Sequence, residues 1–132
     1  MKVLSIKEPY ASLIMNGDKK IETRSFKTNY RGSLYIHASG KKIDKKYLEK
    51  EYVMSLANNI DMNFGYIICV CDLVDCIYMT EEFIENIKKN EKEYNCGLYE
   101  VGRYAWVLKN VRKINKISAK GKLNIWNYDN LQ

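Results

Sequence analysis

One proline, one histidine and 7 glycines are all that 132 residues contain of the types that mark linkers, metal clusters and collagen-like repeats. So small a supply of Pro and Gly excludes a low-complexity linker or a triple helix. No apolar run approaches the roughly 20 residues of a membrane-spanning helix. The four cysteines, Cys69, Cys71, Cys76 and Cys96, include no Cys-x-x-Cys pair, and His37 is the lone imidazole. The spacing rules for zinc go unmet, so no metal or other cofactor is expected. On an ideal strand Cys69 and Cys71 share one face and Cys76 takes the other, and the expectation is buried thiols acting as small apolar residues. Met1 to Pro9 places charge and proline where an export signal has its apolar stretch, so a cytoplasmic setting without membrane association is expected.

What is present is a core and an uneven charge. Hydrophobic residues make up 46% of the chain, enough for one domain over residues 1–132. The formal net charge is +6. Residues 1–50 hold 12 basic and 5 acidic side chains, net +7, and residues 51–100 hold 3 and 10, net −7. Residues 101–132 hold 7 and 1, net +6. Two basic ends therefore flank an acidic middle, and a fold that joins the ends would create a surface attractive to phosphates.

Hydrophobic periodicity predicts strands over 2–6, 20–25, 34–38, 65–78, 104–111, 114–117 and 123–128. Helices are expected after Pro9 with a stop at Gly17, over 42–56, and from the cap Thr80 through 89, with a loop over 91–102. Trp106 and Tyr35 are expected in the core. Strands dominate both ends and do not alternate with helices, which disfavours a doubly wound parallel sheet. The expected class is α+β, a small curled sheet with helices at its edge.

The informative segment is Gly17-Asp18-Lys19-Lys20-Ile21-Glu22-Thr23-Arg24. Four charges in a half-buried strand are costly unless paired or facing a wet cavity. On an ideal strand Lys20, Glu22 and Arg24 share a face while Ile21 points to the core. A ladder of exposed ion pairs, each worth little, satisfies the same pattern.

Three further stretches accompany this octet. They are Ser5 to Ala11, Tyr30-Arg31-Gly32 with the strand Leu34 to Ala38, and Gly65 to Cys76. The order continues through Tyr104 to Leu108 and Lys120-Gly121-Lys122-Leu123-Asn124-Ile125-Trp126. Together with Gly-x-Lys-x-x-Glu-x-Arg they resemble the ASCH domain family. The resemblance implies a PUA-like fold, a small mixed, mainly antiparallel β-barrel with two or three flanking helices. It also implies a stand-alone member that binds RNA, single-stranded DNA or a modified nucleotide in a cleft beside the charged motif. One bacterial branch of that family removes acetyl from N4-acetylcytidine, using a Lys that matches Lys19 with a Thr and a distant Glu. Glu22 stands where that Thr would be.

Three functions follow. As a binding module, the chain would use Lys7, Arg24, Ser25, Lys27, Arg31, Lys120 and Lys122 toward phosphates and Tyr10, Tyr30 and Trp126 toward bases. His37 is placed at the lip of the cleft. As an amidohydrolase acting on an acylated cytidine, it would use Lys19, Glu22 and Arg24, either with Lys19 as general base or nucleophile, or with Glu22 as proton shuttle and Lys19 stabilising an oxyanion. As an interaction domain, its basic ends would meet an acidic protein partner. A deep polar cleft at Lys19, Glu22 and Arg24 separates the first two from the third. Residues near 19–31 and 120–126 are expected to border one cleft, with the acidic middle turned elsewhere.

Overall fold

The computed structural model describes residues 1–129. In chain order the elements are β1 (Lys2–Ile6), α1 (Tyr10–Met15), β2 (Ile21–Arg24), β3 (Gly32–Ala38), α2 (Lys45–Leu48) and α3 (Glu51–Ala57). They continue with β4 (Tyr66–Tyr78), α4 (Glu81–Ile87), α5 (Glu91–Asn95), β5 (Tyr104–Ser118) and β6 (Ile125–Asn127). The six strands form one mixed sheet in the order β2-β5-β4-β3-β1-β6. β1 and β3 run parallel, and the other neighbours are antiparallel. This is the expected α+β class, a curled half-barrel with helices packed around it.

The curl has a local cause. β4 and β5, 13 and 15 residues long, pair along their length with register shifts at three places. Leu73 faces Leu108 and Asp75 faces Val107, so one extra residue sits on β4 at Val74. On β5 one extra residue lies beside Asn110, which takes φ 55°, and two more lie between Lys113 and Ile117. Each bulge bends the pair and increases its twist, letting the first part of β5 hold β2 while β4 holds β3.

The concave side carries the main core, with Leu4, Ile14, Leu34, Ile36, Leu73 and Trp106 fully or almost fully buried under α1. Trp106 is in the core as expected and donates its indole N–H to the Phe26 carbonyl at 3.2 Å. Tyr35 packs part-buried on the opposite face with Val3, Ile67 and Trp126. Burial pushes the Cys69 and Cys71 thiols up to about 12. Cys76 does not take the opposite face: the Val74 bulge reverses the alternation and packs it against the same cluster.

Five short helices replace the expected two or three. The helix predicted over 42–56 is broken at Lys50, whose ψ of 94° is extended. Asp44 caps its first half. The predicted loop over 91–102 contains α5, capped by Asn90 accepting from the Glu93 N–H at 3.2 Å. The strands predicted over 104–111 and 114–117 are one continuous β5. No helix among the described residues is long and apolar enough to cross a membrane.

Candidate functional site

The turn after α1 builds the site. Gly17 takes φ 88°, a left-handed conformation that a Cβ disfavours. The N–H groups of Asp18 and Lys19 then both reach back to the Leu13 carbonyl, at 2.9 and 3.2 Å. The chain doubles under α1 and delivers Lys19 to the interior, 1% exposed. Its ammonium donates to the Cys96 carbonyl at 2.5 Å, lies 3.7 Å from Glu22 Oε1 and stands 5.4 Å from the centre of the Tyr10 ring. An isolated buried ammonium is expensive, and these three electron-rich neighbours offset that cost.

The register of β2 against β5 sets the next two residues, with Glu22 opposite Trp106 and Arg24 opposite Tyr104. Arg24 brings Nη2 to 2.8 Å and Nε to 3.0 Å of Glu22 Oε2, and donates to the Ser5 carbonyl at 3.0 Å. Glu22 is thus a carboxylate shared between two cations. Lys20 is exposed and precedes the strand, so Lys19 and not Lys20 joins Glu22 and Arg24.

Glu93, on α5, secures this segment from across the chain. Its carboxylate accepts the backbone N–H of Lys20 at 2.9 Å and of Ile21 at 3.1 Å. Burial pushes its carboxyl above the ordinary range, with the Lys19 charge and the two N–H donors opposing. Burial also raises the Tyr10 hydroxyl, helped by Tyr47, Cys96 and Glu22.

The far wall is a hydrogen-bonded chain. The Trp126 indole donates to Ser5 Oγ at 3.0 Å, Ser5 Oγ lies 3.0 Å from His37 Nδ1, and His37 Nε2 lies 2.8 Å from the Ala119 carbonyl. A carbonyl only accepts, so Nε2 carries the proton and Nδ1 accepts from the serine. Gly121 passes closely over this chain: a Cβ there would sit 2.9 Å from both His37 Cε1 and Ser5 Oγ.

Between the walls lies a cleft of about 830 Å³. Lys19, Arg24 and Arg103 line its interior, and the exposed Lys7, Lys41, Lys50, Lys120 and Lys122 its rim. Glu22 is the one carboxylate among these eight cations. Residues 51–100 contribute Gly65, Cys96, Gly97 and Leu98, none of them charged. The basic ends therefore converge, and no charged residue of the acidic middle lines the cleft. Phe26, Leu98 and Leu123, the last 89% exposed, add an apolar lip.

Of the residues proposed from sequence, Lys7, Tyr10, Lys19, Glu22, Arg24, His37, Lys120 and Lys122 meet in this cleft. Ser25, Lys27, Tyr30, Arg31 and Trp126 do not line it. Arg31 precedes β3, about 20 Å along the strand from the His37 end, where it binds the Thr28 and Tyr30 carbonyls and faces Asp75 at 3.9 Å. The Tyr30 hydroxyl donates to the Ser33 carbonyl at 2.6 Å. Trp126 is 7% exposed and braces the wall through Ser5, with its ring packed on Val3 and Ile67. Sequence reasoning missed Lys41, Lys50, Arg103, Ser5 and Glu93. The spacing of Asn90 and Glu93, a cap followed three residues later by Glu, was the available signal for α5.

The ASCH domain family matches residues 4–118. The chain is similar, at 29% identity, to activating signal cointegrator 1 of Mus musculus and of Homo sapiens. Both alignments cover 96% of this chain and 22% of the relative, so the chain spans about a fifth of the length of those proteins.

Proposed function

The chain belongs to the ASCH domain family, a family associated with RNA binding, and from that premise we propose that its cleft binds single-stranded nucleic acid or a nucleotide. The observation that carries this reading is the ratio of eight cations to one carboxylate around a concave site. The single carboxylate is already shared by Lys19 and Arg24, which leaves the rim lysines to an incoming anion. The five rim lysines form no ion pair among the described residues. The volume lies within the roughly 300–1,000 Å³ of small-ligand sites. A concave site rimmed by cations also favours a bound ligand over a flat protein-docking face.

The test is fluorescence anisotropy with labelled single-stranded RNA, single-stranded DNA and mononucleotides between about 50 and 200 mM salt. Binding is expected to weaken steadily with salt, because each phosphate contact releases counterions. Absence of salt-dependent binding to every member of the panel overturns the reading. Deacylation is disfavoured on one observation: both of its candidate groups are already engaged, Lys19 with the Cys96 carbonyl and Glu22 Oε2 with Arg24 at 2.8 Å. Accordingly, N4-acetylcytidine is expected to remain intact over long incubation at high protein concentration. Release of cytidine and acetate would reverse that assignment.

A further inference from the structure

A second hollow of about 470 Å³ opens beside the cleft, and the two share Lys50, Gly97 and Leu98 as a common wall. Its chemistry differs from the cleft's. Glu51 and Glu100 line it against the one cation Lys50, and Tyr52, Tyr94 and Tyr99 give it aromatic surface. Tyr94 and Tyr99 stack with ring centres 5.8 Å apart. The Tyr99 hydroxyl is buried without a hydrogen-bond partner, the one such side-chain oxygen or nitrogen among the described residues. That hydroxyl is closed off from the hollow, so the hollow itself presents the two carboxylates, the Lys50 ammonium and tyrosine ring surface.

A phosphate is unwelcome between two carboxylates, whereas a planar group with amino donors suits both the carboxylates and the tyrosines. The cleft has the opposite preference. One ligand that satisfies both must carry anionic groups and neutral planar groups in alternation, along a chain flexible enough to cross the shared wall. A duplex is too stiff to bend over it, with a persistence length of about 50 nm, and its base edges are already paired. A mononucleotide brings one nucleotide's phosphate to a rim of five lysines.

We propose that the ligand is a single strand of several nucleotides whose phosphates follow the rim lysines and whose chain crosses the Lys50–Leu98 wall, placing a base in the second hollow. The proposal rests on the nucleic-acid reading of the cleft and extends it. Tyr52 and Tyr94 offer ring surface to that base, and Glu51 and Glu100 accept from its amino donors.

The experiment measures the affinity of mononucleotide and of single-stranded hexanucleotides, RNA and DNA, for the unmodified chain and for Tyr52→Ala, Glu100→Gln and Lys122→Ala. The hexanucleotide is expected to bind at least about tenfold tighter than the mononucleotide. Tyr52→Ala and Glu100→Gln should each remove about three- to tenfold of that gain, leave mononucleotide affinity unchanged and leave the salt slope unchanged. Lys122→Ala should weaken both ligands and lower the hexanucleotide salt slope by about 0.7. Glu100→Gln keeps the shape of an exposed side chain, so its fold is secure. If mononucleotide binds but neither second-hollow variant alters the hexanucleotide gain, the second hollow is unused and this proposal alone falls. If no ligand binds, the reading of the cleft falls with it.

Discussion

Glu93 is the residue on which the charged motif depends most and which the motif itself does not reveal. Its two oxygens each accept one backbone N–H, from Lys20 and Ile21, while the carbonyl of Cys96 three residues on takes the Lys19 ammonium. Replacing it by Gln leaves one oxygen for two donors and turns an NH₂ toward an N–H. Glu93→Gln should therefore destabilise the fold by about 1–3 kcal/mol at neutral pH, read by urea unfolding. The pH dependence has a definite sign. Burial raises the folded carboxyl above its ordinary 4.5, so the native state retains the proton longer than the unfolded chain. This contribution is fully present below the unfolded value and is lost as pH rises through the folded one. Stability measured upward from about pH 4.5 should fall less steeply in Glu93→Gln than in the unmodified chain. An unchanged slope would mean that Glu93 does not govern that window.

The loop over residues 119–124 shows how a small residue sets a cleft wall. Gly121 carries no unusual backbone angle, yet its Cα closes on Ser5 and His37, leaving no room for a methyl group. Gly121→Ala should push the loop outward, carrying Lys120 and Lys122 away from the cleft, and cost about 1–3 kcal/mol of stability through overpacking. Ligand affinity should fall more than the loss of stability explains at temperatures where the variant remains folded. Unchanged affinity would show that the loop lysines do not contact the ligand. Local sequence revealed much of this architecture: Gly17 as a stop, Glu22 and Arg24 on one face, and β4 as the central strand all follow from short-range spacing. Elements governed by longer-range pairing were less legible. The Val74 bulge depends on the partner strand and reverses the face of Cys76. The break at Lys50 interrupts a charged stretch whose composition alone suits a helix. Lys41 and Arg103 reach the cleft through strand order, which no local period encodes.

At the scale of the whole molecule, strand order converts a modest net charge into a directed field. β6 pairs antiparallel with β1, with Trp126 opposite Val3, so the two basic ends of the chain lie side by side. β1 also pairs with β3, which brings Lys41 to the same mouth through the loop after Ala38. The acidic residues of α4, Glu81, Glu82 and Glu85, are exposed and line neither hollow. Charges separated by more than about 8 Å at physiological salt are largely screened, so position matters here more than total charge. Two double variants with opposite effects on net charge test this. Lys41→Ala with Lys122→Ala should lower the salt slope for single-stranded ligand by about 1.4, two phosphate contacts at about 0.7 each. Glu81→Gln with Glu82→Gln raises the net charge by two and should leave the slope unchanged. If affinity instead follows net charge in both variants, attraction is spread over the surface and the converging ends confer no particular site.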